Sequence, residues 1–344
     1  MKYLTYLLAF LSYILPGPVA SGQTARLKDR TKDGILAYLN MVVKDSTIMV
    51  GQYCGVGSNT SAGYHEFVEG LKEATGKYPA LLSVEYGYTP GNDLKAINKF
   101  AIDHWNKGGL VTISWHADNP WQKGYDCRWN TIEHKDSINF SMLLKSAPSS
   151  EAKAAYRAEL MSVGLALKEL QEQGVMVLWR PFHEMNGFWF WWGANDQADP
   201  TNAAAFRLLW KDMYDTFTKD LGLHNLIWIY GANAYSKWVA PVEALYPGDA
   251  YVDIVGTDIY TKAPEFKDYP VLKTFKKPIV VCEIGPSEES YGRYDELDIV
   301  RTYRGKAAWF LQWSSWTNAK VAIKDNLNFK EMMHSPGVIT LDKL

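Results

Sequence analysis

Eight short apolar runs recur along the chain, separated by longer amphipathic or polar stretches, and this alternation constrains the fold more than any other feature. The runs cover residues 48–53, 81–86, 110–115, 175–179, 226–230, 252–256, 279–282 and 308–313. Their apolar character is continuous rather than alternating, which suits strands covered on both faces, as in a parallel sheet. The stretches between them read as helices. Residues 93–107 place Leu94, Ile97, Ala101, His104 and Trp105 on one stripe before Gly108 and Gly109. Residues 151–173 repeat the pattern with Leu160, Val163, Leu167 and Leu170 before Gly174, and residues 202–221 with Phe206, Leu209, Trp210, Met213 and Phe217. A glycine just past an apolar stripe is a helix stop.

Eight strand–helix periods without a linker-like break predict an α/β chain folded as a single closed (β/α)8 barrel. The competing architecture, an open doubly wound sheet, wants a glycine-rich phosphate loop after its first strand. Gly55-Val56-Gly57-Ser58-Asn59 is too loose for one. A barrel of this kind takes ~250 residues. The chain has 344, and the surplus falls mostly in loops, above all residues 117–150 after the third run. Loops that follow barrel strands build the functional face, so the extra length lies where a ligand would bind.

The first residues read differently. Lys2, an apolar run over residues 3–15 and a Pro16-Gly17-Pro18 break before Val19-Ala20-Ser21-Gly22 have the layout of a secretory signal peptide. The run is shorter than the ~20 residues that span a bilayer. The expected organisation is a signal over residues 1–22 and one domain over 23–344, in a secreted or periplasmic protein. Three cysteines remain, Cys54, Cys127 and Cys282. Their spacing matches no zinc pattern and leaves two options, a Cys54–Cys127 bridge or three buried thiols. Sequons at Asn59 and Asn139 matter only in a eukaryotic host.

Composition narrows the function. Lys+Arg 36 against Asp+Glu 38 gives a net charge of -2, with no footprint for nucleic acid and no polybasic membrane patch. By contrast, 14 Trp and 21 Tyr suggest a surface built for flat, amphipathic ligands as well as a core. Two glutamates stand at the ends of runs four and seven: Glu184 after Arg180-Pro181-Phe182-His183, and Glu283 after Val280-Val281-Cys282. On a barrel both fall at the same mouth. A carboxylate pair from facing strands is the machinery of glycosidic cleavage, one group protonating the leaving oxygen and the other attacking the anomeric carbon. Either glutamate alone could equally be a structural ion pair, with Arg180 or Lys262 as partner.

The segment Arg180-Pro181-Phe182-His183-Glu184-Met185-Asn186-Gly187, continuing Phe188-Trp189-Phe190-Trp191-Trp192-Gly193, resembles the acid/base signature of glycoside hydrolase family 26. His183, where the wider clan usually has Asn, points to this family. Ser114-Trp115-His116 with Asn119-Pro120, the run Val252 through Tyr260, and Glu283-Ile284-Gly285 resemble its third-, sixth- and seventh-strand motifs. The resemblance spans strands three to eight. It implies a secreted, endo-acting β-mannanase that retains anomeric configuration, with Glu184 as acid/base and Glu283 as nucleophile. It further implies that Tyr260 hydrogen-bonds the nucleophile, that His116 and His183 line the cleavage subsite, and that Trp189 and either Trp313 or Trp316 are sugar platforms. The Arg that often accompanies the last of these is missing from Trp313-Ser314-Ser315-Trp316.

From the residues themselves, Glu283 needs donors such as the Tyr260 hydroxyl and Arg180 to stay ionised, and Glu184 needs apolar rings to keep its proton. A carboxylate gap of ~5–5.5 Å is expected for retention, against more than ~6.5 Å for inversion. Of the rings from Phe188 to Trp192, two should line a cleft and three pack beneath. Asp258 is read as either a substrate contact or a plain strand-end cap, and Trp121 and Trp129 as further stacking candidates. His116 and His183 have no third histidine at a ligand spacing, since His65, His104, His134, His224 and His334 are scattered, so neither metal nor cofactor is expected. The expected partner is a polysaccharide and the expected state a monomer. Mixed-linkage β-glucan, β-xylan and a non-catalytic sugar-binding barrel are the alternatives. No G-x-S-x-G elbow supports an acyl-transfer hydrolase.

Overall fold

A computed structural model describes residues 26–55, 59–87, 93–122, 124, 127–128, 138–193 and 200–344. Residues 1–22, expected to be a signal, lie outside the described residues, as do Trp129 and His134. Strands β1 (Ile48–Tyr53), β2 (Leu81–Glu85), β3 (Leu110–Trp115), β4 (Val177–Pro181), β5 (Leu226–Asn233), β6 (Ile254–Thr261), β7 (Ile279–Pro286) and β8 (Trp309–Gln312) pair in parallel, each with the next. β1 bonds to both β2 and β8, which closes the ring. A short ninth strand, β9 (Val338–Ile339), pairs with the start of β1 and was not foreseen.

The helices form where the apolar stripes lie, and polar side chains set their starts. Asp93 accepts from the backbone N–H groups of Lys95 and Ala96 to open Leu94–Asn106, and Ser150 accepts from that of Lys153 to open Glu151–Glu172. These bonds satisfy donors that the first helical turn leaves unpaired. Gly108 and Gly174 follow the two helix ends with φ of 99° and 72°, a left-handed conformation that costs a glycine least. The third helix, Pro200–Asp215, runs on into a π-helical turn, Thr216–Asp220. An earlier helix, Lys32–Lys44, capped by the Thr31 side chain, precedes the barrel.

The strands differ from the expected runs in one consistent way. β5, β6 and β7 continue three to five residues past the last apolar residue that marked them, through Asn233, Thr261 and Pro286. Backbone pairing persists there past the apolar runs, and these extensions carry the polar side chains Asn233, Asp258 and Glu283 among apolar neighbours such as Ile259 and Ile284. The tryptophans divide between core and surface. Trp115, Trp179, Trp191, Trp192, Trp210, Trp228 and Trp309 are each less than 2% exposed, so half the indoles build the interior. Cys54 is a buried free thiol, so the Cys54–Cys127 bridge is not made.

Candidate active site

Asn233, Asp258 and Glu283 sit in one row across β5, β6 and β7, each the register partner of its neighbour. Adjacent strands lie about 4.8 Å apart, so the row gathers three polar side chains at one rim. The row depends on a bulge. Thr257 pairs with Val281 and Asp258 with Glu283, leaving Cys282 as the extra residue of β7. Strict alternation would send successive side chains to opposite faces; a bulge re-aims one of them. A Cβ on Gly231 or Gly256 would lie 3.3 or 2.7 Å from the Cys282 sulfur, so the thiol faces the barrel interior beneath Glu283.

Arg180, on β4, runs across this floor. Its side chain passes over Gly231, where an added Cβ would approach its Cδ to 3.2 Å. One guanidinium nitrogen donates to Asp258 Oδ2 at 3.2 Å and another to Glu283 Oε1. The Tyr260 hydroxyl donates to Glu283 Oε2 at 2.8 Å. Both oxygens of Glu283 are therefore held, one by a cation and one by a phenol, although the residue is only 3% exposed. Burial, and then the nearby charge of Glu283, pushes the Asp258 carboxyl well above the usual range, against the pull of Arg180. Burial and Glu283 also raise the Tyr260 phenol, which keeps it a donor. Of the two cations considered for Glu283, Arg180 is the partner. Lys262 is exposed and pairs with Glu289 at 3.2 Å.

Glu184 follows β4 on a turn in which Phe182 and Glu184 both take positive φ, 46° and 53°. Such conformations are uncommon outside glycine and cluster at functional sites. The Glu184 N–H donates to the Gly231 carbonyl at 2.8 Å. Its carboxylate accepts from the Trp189 indole and, at 3.0 Å, from the Asn233 amide. Gly187 permits this closure, since a Cβ there would come within 2.4–2.8 Å of the Trp189 ring. Burial, reinforced by the charge of Glu283, raises the Glu184 carboxyl to about 7, and the bonds from Asn233 and Trp189 pull the other way. The two glutamates thus differ in kind: Glu283 is held by a charged donor, Glu184 by neutral ones.

The two histidines meet in the structure. The His116 and His183 rings are edge to face with centroids 4.3 Å apart. His116 Nδ1 lies 3.0 Å from Glu85 Oε2, and its backbone N–H donates to Glu85 Oε1 at 2.8 Å. Burial works against the charge of Glu85, but His116 and the Ser114 hydroxyl outweigh it and hold the carboxyl below its ordinary value. Burial, then His116 and Arg180, depresses His183 well below the usual imidazole range, which favours the neutral ring. His183, Asp258 and Glu283 bring ligand-type atoms within 4.8 Å of one another, a grouping that histidine spacing alone does not reveal. The cationic partner shared by its two carboxylates is Arg180.

Aromatic rings border the site on two sides. Phe188 is 48% exposed and Trp189 partly exposed, while Phe190, Trp191 and Trp192 are buried. Across the mouth, Trp313 stacks on Tyr53 with centroids 3.6 Å apart, and Trp316 is 52% exposed. Both line a recess of about 430 Å³ with Gly55, Asn59 and Phe67. Trp121 is partly buried and packs its edge on Trp191 at 5.7 Å. Sequence reasoning missed Asn233, Asn186 and Glu85 as site residues. Glu85 is an acidic residue near the end of its apolar run, as Glu283 directly follows its own, a signal that was present; Asn233 lies beyond the apolar part of β5 and carried none.

The description Glycosyl hydrolase family 26 matches residues 25–343. A mannan endo-1,4-beta-mannosidase A and B of Caldalkalibacillus mannanilyticus is 35% identical over 280 residues, covering 78% of this chain and 52% of its own length. A mannan endo-1,4-beta-mannosidase of Bacillus subtilis strain 168 is 32% identical over 266 residues, 73% of this chain and 70% of that protein. The chain therefore spans about half the length of the first of these relatives. Among solved structures, the Bacillus subtilis mannanase man26 superposes with a TM-score of 0.77 at 26% identity, covering 89% of this chain and 91% of that one.

Proposed function

The chain belongs to glycosyl hydrolase family 26, and from that membership we propose that it is an exported endo-β-1,4-mannanase acting by double displacement with retention. The single observation that carries the mechanism is the contrast between the two glutamates. Glu184, at about 7, keeps its proton near neutrality, whereas Glu283 rests against Arg180. Two carboxyl groups in different environments are the arrangement that splits acid from nucleophile.

In the first step Glu283 attacks the anomeric carbon while the Glu184 proton passes to the glycosidic oxygen, and the leaving chain departs as an alcohol. In the second, Glu184, now a carboxylate, takes a proton from water, the hydroxide oxygen bonds to the anomeric carbon, and Glu283 is released. Tyr260 and Arg180 hold Glu283 in line for attack. Asp258 acts on Glu283 through Arg180 rather than on the sugar. His183, whose neutral ring burial favours, stands beside Glu283 with His116 packed against it, and Trp189 aligns Glu184 while presenting a ring to the sugar. The reading requires a carboxylate separation near ~5–5.5 Å and no metal.

Mannan preference is drawn from the named activities of the relatives, and export from the N-terminal apolar run. Incubation with mannan, lichenan and xylan, with products sized by chromatography, tests the substrate: a ladder of short oligomers from mannan alone is expected, and a ladder only from lichenan or xylan refutes it. Proton NMR of fresh product tests the stereochemistry, with the β-anomer appearing first. Glu184→Ala and Glu283→Ala should each abolish hydrolysis in a folded protein that still binds oligosaccharide.

A further inference from the structure

Two large aromatic side chains stand exposed on the loop after β5: Tyr235 at 66% and Trp238 at 63%. Among the exposed large apolar side chains of the described residues these two are the most exposed, and the mechanism above does not use them. Their loop is not a loose excursion. Asn186, two residues past Glu184, donates from its side chain to the Asn233 carbonyl and to the Ala240 carbonyl, each at 2.9 Å. The Ala240 N–H returns a bond to the Asn186 carbonyl, also at 2.9 Å. The Tyr235 N–H donates to the buried Asp268 carboxylate at 3.0 Å. Both ends of the loop are thus tied to the turn that carries Glu184, while its rings face solvent. Exposing large rings is costly unless a ligand covers them.

The side of the cleft follows from chemistry. Glu184 protonates the leaving oxygen, so the leaving sugars lie on its side, and the sugar that becomes covalently bound lies over Glu283. In the eight-stranded ring β4 and β5 stand opposite β8 and β1. Trp313 and Trp316, on the loop after β8, therefore stand on one side of the mouth, and the loop after β5 on the opposite side. Tyr235 also lines a recess of about 320 Å³ together with Val239, Glu243, Lys267, Asp268 and Pro270, a mixed apolar and charged lining.

We propose that Tyr235 and Trp238 form the platform for the leaving-group side of the polysaccharide, binding the sugar units released first; this rests on the glycosidase reading above. A rigid aromatic face stacks on the apolar face of a pyranose, and a ring platform clamped to the acid turn keeps that sugar in register with Glu184.

The test compares two substrates in Tyr235→Ala, Trp238→Ala and the double variant. One is mannohexaose, whose leaving group is an oligosaccharide; the other is an aryl β-mannobioside, whose leaving group is a phenol that cannot reach the platform. For Trp238→Ala, kcat/KM on mannohexaose should fall about tenfold more than on the aryl substrate, as expected for one lost stacking contact of ~1.4 kcal/mol. The double variant should fall further, and transfer of mannobiose units to added mannotriose acceptor should fall with it. Equal losses on both substrates, or no loss on mannohexaose, overturn the platform. Wild-type hydrolysis of mannohexaose checks the underlying reading separately. If the wild type instead cuts β-glucan or β-xylan oligomers, the same comparison with the matching oligomer and aryl glycoside decides the platform. If it cuts none, both fall.

Discussion

Asn186 clamps Asn233 through both of that residue's backbone groups: its Oδ1 accepts the Asn233 N–H at 2.7 Å and its Nδ2 donates to the Asn233 carbonyl at 2.9 Å. The clamp leaves the Asn233 side chain free to donate to Glu184 Oε1 at 3.0 Å. Glu184 is thus positioned by a residue two places along its own chain, acting through a neighbouring strand. Replacing Asn186 with Ala strands three backbone groups, one buried and two partly buried, and a stability loss of ~2–4 kcal/mol is expected by urea denaturation. A variant within 0.5 kcal/mol of wild type (an order-of-magnitude threshold for a surface change) would show that the clamp is redundant.

Asn233→Ala separates alignment from folding. The Asn233 bond favours the ionised form of Glu184, so its removal raises the Glu184 pKa further above its ordinary value. The basic limb of the kcat/KM profile should move to higher pH, and kcat should fall roughly 10- to 100-fold as the carboxyl loses its alignment. A fall in rate with an unmoved basic limb would assign Asn233 a purely structural role.

In the wild type, kcat/KM should decline as pH rises through about 7, where Glu184 gives up the proton it must donate. The same shift bears on stability. Unfolded glutamate ionises near ~4.3, so between that pH and about 7 the folded protein holds a proton that the unfolded chain has released. This contribution is complete below the unfolded value and is lost as pH rises through the folded one. Glu184→Gln, which carries no charge to bury, should therefore be more stable than wild type at pH ~8 by about 1–3 kcal/mol, with a smaller difference at pH ~5. Denaturation curves at the two pH values check it; a difference that does not change with pH refutes it.

Arg180 is buried with two carboxylates, and removing it leaves both without their cation. Arg180→Met should cost ~3–5 kcal/mol of stability. Arg180→Lys should recover little activity, because a single ammonium cannot reproduce the fork that spans Asp258 on β6 and Glu283 on β7. Near-wild-type kcat in the Lys variant would mean that charge alone suffices.

Glu85 holds His116 by backbone and ring. Glu85→Gln can still accept from the His116 N–H but does not carry the charge that faces the ring. The expected result is a folded enzyme whose KM for mannan oligomers rises several-fold while kcat changes less, as for lost uniform binding. Loss of kcat alone would place His116 in the chemical step.

Much of this architecture was legible before any coordinates. Runs of Val, Ile, Leu and aromatic residues gave six of eight strand starts to within one residue, since continuous burial leaves continuous apolar sequence. The pair Glu184 and Glu283 followed from their places at strand ends, whereas the common place of His116 and His183 came only from the family resemblance. The rims were harder. Asn233 and Asp258 lie where strand pairing outlasts apolar composition, and a polar residue there reads equally as strand or loop. The early helix Lys32–Lys44 and strand β9 had been given no reading at all.

What the linear order of residues determined by itself is the ring of strands and the mouth at which the acidic side chains emerge, because hydrophobic periodicity and strand ends are local properties of the chain. What only the tertiary structure decided is where each charge rests. The bulge that turns both Cys282 and Glu283 inward, the passage of Arg180 over Gly231 to reach two other strands, and the Asn186 clamp all depend on register between segments distant in sequence. Register is a cooperative outcome of packing the whole ring, and one residue of slip on β7 would carry the nucleophile candidate to the opposite face.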